Sequence, residues 1–103
     1  MITMKGLVNL IAYGEKVTEP RWYFVDKKFG NSSKSDISNS NYYIAEDDDE
    51  EFDLEDDVSY KTFLDSATFK AIIDNKLEHH PNASTDELLE AIIYYLEEDD
   101  FLD

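Results

Sequence analysis

The residues that could do chemistry in this chain concentrate in one acidic segment, residues 46–57, which reads EDDDEEFDLEDD. It holds ten carboxylates and no basic residue. Carboxylates at this density can pair with basic side chains of a partner, coordinate a divalent cation or supply an acid–base pair. Phe52 and Leu54 lie within the run at the two-residue spacing of a strand, which places apolar anchors among the charges.

A calcium site is the first alternative for these carboxylates. An EF-hand loop needs ligands at fixed positions and a glycine at its sixth. The sixth residue is Phe52 when the loop starts at Asp47, and Leu54 when it starts at Asp49. We therefore predict no dedicated metal site and no cofactor, and we keep a calcium-responsive acidic module as an alternative function.

The histidine pair His79–His80 is the second candidate for metal binding. Neighbouring residues on a helix point about 100° apart, so the two imidazoles chelate a single ion poorly. Pro81 follows the pair and ends the helix there, where histidines suit the negative end of the helix dipole. We expect this pair to have a structural role.

Catalysis and direct nucleic-acid binding find little support in the residue types. The chain has no cysteine and three glycines, and it lacks both a Gly-x-Ser-x-Gly motif and a phosphate-binding glycine loop. A carboxyl group that acts as a general acid usually sits in an apolar pocket, whereas these lie in hydrophilic runs. Phosphate contacts need clustered Lys and Arg. We predict that the protein is not an enzyme and does not bind nucleic acid directly.

The net charge of −16 comes from two short segments. The acidic segment carries ten carboxylates, and the acidic tail, residues 97–103, carries five more. The remaining residues hold ten acidic against nine basic side chains, so the body is nearly neutral. Charge concentrated in this way opposes folding through self-repulsion and steers a basic partner to one place.

Three interpretations of the acidic segment follow from this distribution. It is a flexible solvated loop, or it rests on a basic face of its own chain, or it binds a basic protein. The basic face would use Arg21, Lys27, Lys28 and Lys34. We favour the partner, and the candidate partner-binding residues are Asp47, Asp48, Asp49, Glu51, Phe52, Asp53, Leu54 and Glu55.

The first element that the sequence predicts is a helix over residues 3–13. Thr3 would be its N-cap and Gly14 its C-terminal stop. Its apolar face would be Met4, Leu7, Val8 and Ile11. Aromatic and β-branched residues predict strands at 21–29, 42–45 and 60–64. Residues 30–41, GNSSKSDISNSN, predict an exposed loop.

Two helices are predicted for the last 40 residues, the first capped by Asp65 or Ser66 and the second by Ser84 in a capping box with Glu87. The first has an apolar face of Phe69, Ile72, Ile73 and Leu77, and the second has Leu88, Leu89, Ile92, Ile93 and Leu96. Of Tyr94 and Tyr95, one is expected to be partly exposed.

We therefore predict one domain over residues 1–103, of α+β class, in which an antiparallel sheet of about three strands packs with an N-terminal helix and a C-terminal helical hairpin. No apolar run approaches the roughly 20 residues of a membrane span, and no signal peptide is evident. We expect a cytoplasmic protein without membrane contact.

The C-terminal 40 residues resemble a family of small acidic bacterial immunity proteins from toxin–immunity loci, including contact-dependent growth inhibition. The resemblance lies in Phe63–Ser66 (FLDS), leading into a helix, and in the stretch NKLEHHPNASTDELLEAIIYYLEEDDFLD. It implies a protein that binds a cognate toxin, commonly a nuclease, and occludes its active site. It carries over no catalytic residue, because such proteins act by occlusion.

The residues and the resemblance together predict an inhibitor of a basic nuclease toxin. A DNA mimic that blocks several nucleic-acid-binding proteins is the first alternative, because rows of carboxylates can imitate a phosphate backbone. The calcium-responsive module is the second alternative.

Overall fold

A computed structural model describes residues 1–102 and places four strands and five helices in them. The strands are β1 (Ile2–Lys5), β2 (Trp22–Asp26), β3 (Asn41–Ile44) and β4 (Tyr60–Asp65). The helices are α1 (Leu7–Gly14), α2 (Lys34–Asn39), α3 (Asp48–Asp56), α4 (Ser66–His79) and α5 (Thr85–Glu98). The predicted α+β class is confirmed, with one strand more than expected.

The strands form an antiparallel sheet in the order β1-β3-β2-β4. Side chains alternate between the two faces, because successive residues of a strand point in opposite directions. In β2 the neighbours Tyr23 and Phe24 are both buried, so both faces of this strand are covered. A register irregularity between Trp22 and Phe24 interrupts the pairing of β2 with β4.

The larger apolar cluster lies between one face of the sheet and the helices α1, α2, α4 and α5. Tyr23, Tyr42 and Phe63 contribute aromatic rings to it from three strands. Phe29 packs against two of these rings, with its own ring 6.0 Å from that of Tyr42 and 5.3 Å from that of Phe63. Each such ring removes a large apolar area from water, so this cluster provides most of the burial.

The second apolar cluster lies on the opposite face and is small. It consists of Phe24, Ala45 and Leu54, with Tyr43 and Tyr60 packed at its margin. Leu54 belongs to α3, so the acidic helix covers the face of the sheet that the other four helices leave open.

The C-terminal helical hairpin is confirmed in its caps and apolar faces. The Asp65 carboxylate accepts a hydrogen bond from the Thr68 backbone N–H at 3.1 Å and begins α4. Ser84 and Glu87 form the predicted capping box of α5. These ends follow from residues three positions apart, which explains why sequence reasoning located them.

The N-terminal prediction is wrong at its start. Residues 2–5 form β1, paired with β3, and Thr3 lies in that strand and caps no helix. The helix begins at Leu7 after Gly6, and Val8, assigned to the apolar face, is exposed. Pairing of Ile2 with Ile44 and of Met4 with Tyr42 satisfies the backbone of β1 with a strand some 40 residues away.

The predicted loop over residues 30–41 contains the short helix α2. Ser33 begins it by accepting a hydrogen bond from the Asp36 backbone N–H, and Ile37 is buried in the larger cluster. The Tyr42 hydroxyl donates to the Ile37 carbonyl at 2.5 Å, and burial raises the pKa of this tyrosine. One apolar residue among serines and asparagines is too weak a periodic signal to predict a helix.

Within residues 1–102, every helix falls short of the length and apolarity that crossing a membrane requires.

Gly6 should be essential for the turn from β1 into α1. Its φ of +84° lies in a region that side chains avoid, and a Cβ there would lie 2.9 Å from the Ser38 carbonyl oxygen. We expect Gly6→Ala to lower the free energy of unfolding by about 1–3 kcal/mol. Denaturation in urea, followed by circular dichroism, measures this loss.

Gly14→Ala is the matched control, because its Cβ would meet the Tyr23 hydroxyl at an ordinary 3.5 Å. It should change stability by less than about 1 kcal/mol. Equal losses in the two variants would contradict this account of Gly6.

Candidate protein-binding site

The acidic segment folds into a helix for reasons that lie within its own sequence. The Asp47 carboxylate caps α3 by accepting a hydrogen bond from the Glu50 backbone N–H at 2.8 Å. Four acidic residues then occupy the first turn, where negative charge suits the positive end of the helix dipole. The segment is therefore neither a strand, as the spacing of Phe52 and Leu54 suggested, nor a flexible loop. Residues Asp48–Asp56 form a helix.

The helix separates the two predicted apolar anchors. Two positions along a helix correspond to a rotation of about 200°, so Phe52 and Leu54 face opposite directions. Leu54 is 6% exposed and packs on Phe24 and Ala45, which makes it part of the protein's own core and unavailable to a partner. Phe52 is 69% exposed and is the apolar residue that α3 presents to solvent.

Carboxylates surround the Phe52 ring on the helix surface. Residues three and four positions away are neighbours on a helix, and for Phe52 these are Asp48, Asp49, Glu55 and Asp56. All four are exposed, and the Asp48 side chain retains 92% of its accessible surface. The outward face of α3 (Asp49, Phe52, Asp53, Glu55 and Asp56) is thus one aromatic ring among negative charges, with Asp48 at its edge.

The edge of α3 nearer the sheet is anchored by Arg21. One Arg21 nitrogen, Nη1, lies 2.6 Å from Asp48 Oδ1 and 3.6 Å from Glu51 Oε2. The other, Nη2, lies 3.4 Å from Glu19. The hydrogen bond with Asp48 raises the pKa of Arg21 against the opposing effect of desolvation. The Arg21 side chain is 12% exposed, whereas the Asp48 carboxylate that it contacts remains in water.

The start of α3 has a second cation beside it, the amino group of Met1. It lies 3.4 Å from Glu46 Oε2 and 2.9 Å from Glu50 Oε1. Glu50 also accepts the Glu46 backbone N–H at 3.0 Å. Hydrogen bonding to the Met1 amino group, with the Glu46 N–H second, lowers the pKa of Glu50 below its ordinary 4.5.

The interpretation that the segment rests on its own basic face holds for one of the four named residues. Arg21 contacts α3, whereas Lys34 pairs with Asp86 and Glu90 of α5 at 3.4 and 3.3 Å. Lys27 and Lys28 are exposed, and in the described part of the chain they pair with no carboxylate.

The predicted partner-binding residues therefore divide into four groups. Asp49, Phe52, Asp53 and Glu55 lie on the outward face. Asp47 serves as the N-cap, and Asp48 and Glu51 pair with Arg21. Leu54 is in the core. Sequence reasoning missed Asp56, whose place beside Phe52 follows once the segment is recognised as a helix.

Half-buried and exposed aromatic residues continue the surface onto the sheet. Tyr43 and Tyr60 lie edge-to-face at 5.0 Å beside the smaller cluster, and the Tyr43 hydroxyl donates to Asp26 at 3.3 Å. Trp22, on the neighbouring strand, is exposed. Aromatic residues are enriched at the centre of protein interfaces.

The acidic tail is a separate surface. Glu97 accepts a hydrogen bond from Ser32 at 3.1 Å, and Phe101 packs on Tyr95 with ring centres 5.4 Å apart. One of Tyr94 and Tyr95 was expected to be partly exposed, and the structure shows both of them half-buried. Asp103, the last tail carboxylate, lies outside the described residues.

Among residues 1–102, no three of the Asp, Glu and His side chains converge in a group that could hold a metal ion. The carboxylates of α3 are spaced along the helix.

Comparison with known proteins identifies a family. A model described as a domain of unknown function (DUF7716) matches residues 7–103. Because this match spans nearly the whole chain, the chain belongs to that family. The searches of curated proteins and of solved structures each returned no match.

Substitution of the two apolar residues of α3 should have opposite consequences for stability. We expect Leu54→Ala to lower the free energy of unfolding by about 2 kcal/mol, because it removes buried contacts with Phe24. We expect Phe52→Ala to change it by less than about 0.5 kcal/mol, because its ring is in water. Urea titrations monitored by Trp22 fluorescence give both values. A larger loss for Phe52→Ala than for Leu54→Ala would contradict the orientation of α3.

Proposed function

We propose that this member of the DUF7716 family binds a basic protein and inhibits it by occlusion, in the manner of an immunity protein toward its cognate toxin. The partner in this proposal is a nuclease toxin domain with a basic cleft. The protein itself performs no chemistry in this role, and it acts in the cytoplasm of the cell that makes it.

The outward face of α3 is the observation that carries the proposal. Exposed phenylalanine is costly in water, and here it is ringed by carboxylates. An arginine or lysine side chain could lie on the ring and pair with a neighbouring carboxylate in one contact. A surface that served solubility alone would have no need of the aromatic residue.

The distribution of charge supports a basic partner in particular. Outside the two acidic segments the chain is close to neutral, so the negative potential of the molecule is concentrated at α3 and the tail. Such a field accelerates the encounter with a positively charged cleft and repels other acidic proteins. A nuclease cleft is positively charged because its substrate is a polyanion.

The C-terminal resemblance to immunity proteins supports the same class from a different part of the chain. The resembling residues form α4, α5 and their link, which pack on the face of the sheet opposite to α3. In this proposal they provide the scaffold, and α3 provides the contact.

Charge neutralisation on α3 tests the proposal directly. The probe is an inactive form of a small basic domain taken from a neighbouring reading frame that encodes one, with association followed by stopped-flow fluorescence. Replacing Asp49, Asp53 and Asp56 by Asn and Glu55 by Gln should lower the association rate about tenfold or more at low salt, with the difference shrinking as salt rises.

The matched control removes the same number of charges from the tail, by replacing Glu97 and Glu98 with Gln and Asp99 and Asp100 with Asn. It should lower the rate about twofold. Equal effects of the two variants would move the interface away from α3, and failure of the wild type to bind or inhibit the domain would overturn the proposed function.

Phe52→Ala should act mainly on dissociation. Loss of an aromatic anchor at the centre of an interface typically raises the dissociation rate, by about tenfold or more here, and leaves association nearly unchanged. Surface plasmon resonance with the same basic domain separates the two rates. An unchanged dissociation rate would remove Phe52 from the interface.

A DNA mimic is the remaining candidate that the outward face favours, because its exposed carboxylates run along one side of a helix. A panel of unrelated nucleic-acid-binding proteins distinguishes the two functions. An inhibitor of a cognate toxin prefers one member strongly, whereas a mimic binds several with similar affinity.

A further inference from the structure

Helix α3 carries opposing electrostatic effects within its own length. The first-turn carboxylates are favourable with the helix dipole, whereas Glu55 and Asp56 lie in the last turn, which has no basic residue. Like charges also face each other four positions apart, as at Asp49 with Asp53 and Glu51 with Glu55. Seven of its nine residues are acidic, so little stability comes from the helix itself.

The contact of α3 with the rest of the fold is also small. Its buried side chain, Leu54, joins a cluster of three buried residues. By comparison, α5 places Leu88, Leu89, Ala91 and Ile92 in the larger cluster. Because α3 contributes nothing to that larger cluster, the core between the sheet and the other helices does not require it.

Arg21 joins this weakly held helix to the junction between β4 and α4. Both backbone groups of Arg21 are hydrogen-bonded to Ser66. The Arg21 N–H donates to Ser66 Oγ at 2.9 Å, and the Arg21 carbonyl accepts the Ser66 N–H at 2.7 Å. Ser66 is buried where β4 passes into α4. The side chain then reaches Asp48 and Glu51 of α3 from this fixed base.

We infer that α3 is a separately opening helix, latched to the sheet by Arg21. It leaves the sheet while the other eight elements described in residues 1–102 remain folded, and this opening uncovers Phe24, Ala45 and Leu54. Local openings of this kind occur where buried apolar contacts are few. The inference concerns the free protein and does not depend on the proposed function.

Hydrogen exchange of the full chain, measured residue by residue by NMR in low guanidinium concentrations, tests the separate opening. Amides of α3 should exchange through an opening whose free energy barely changes with denaturant, because little surface is exposed. Amides of Tyr23 and Val25 in β2 should show the steep dependence of global unfolding. If α3 and β2 show the same free energy and the same slope, the inference is wrong.

The variant Arg21→Gln tests the latch, because it keeps the backbone bonds to Ser66 and removes the charge. Exchange of α3 amides should become about tenfold faster, with β2 and α5 unchanged, since a charge-assisted hydrogen bond is lost. Lys34→Gln is the control, as Lys34 pairs with Asp86 and Glu90 of α5. It should leave α3 exchange unchanged.

The same experiment can overturn the role of Arg21 in two ways. Unchanged exchange in α3 of Arg21→Gln would show that the latch lies elsewhere. A variant that loses protection uniformly, or fails to fold, would show that Arg21 stabilises the whole fold and is no specific latch of α3.

Discussion

The packing of Leu54 on Phe24 is the contact on which the arrangement of the acidic helix depends. Because successive helical residues are separated by about 100°, burying Leu54 fixes the direction of every other side chain of α3. It turns Phe52 and its neighbouring carboxylates to solvent, and it brings Glu50 and Glu51 to the edges that meet the Met1 amino group and Arg21. One apolar contact thus determines which charges are neutralised within the protein and which are free to meet a partner.

The two faces of the sheet differ in how much apolar surface they bury. One face supports four helices through a large aromatic and aliphatic cluster, and the other supports α3 through three buried residues. Stability in proteins is unevenly distributed in this way, and segments that bind partners are often drawn from the less stable part. The candidate site lies on the side of the sheet with few buried residues. A helix there can carry seven carboxylates without placing any of them in the larger apolar cluster.

The cost of concentrated charge is reduced by a small number of well-placed cations. Arg21 is 12% exposed and contacts the solvent-exposed Asp48 at 2.6 Å, so it sets one positive charge against the acidic helix. The outward carboxylates have no such partner among the described residues, and their mutual repulsion remains. A basic protein would relieve that repulsion and would also stabilise α3 by mass action, so binding and helix stability would be linked.

The sequence by itself determined the features that depend on near neighbours in the chain. These are the caps at Asp65 and Ser84, the apolar faces of α4 and α5, and the positions of the two acidic segments. Roughly the C-terminal half of the fold, and the carboxylates of the candidate site, could be predicted in this way.

Tertiary structure decided the rest. Residues 2–5 became a strand because Ile2 and Met4 pair with Ile44 and Tyr42, and Phe52 and Leu54 took opposite faces because Phe24 and Ala45 lay beneath one of them. An apolar pair two residues apart fits a strand or a helix equally well until a distant residue covers one member, and no local pattern carries that information.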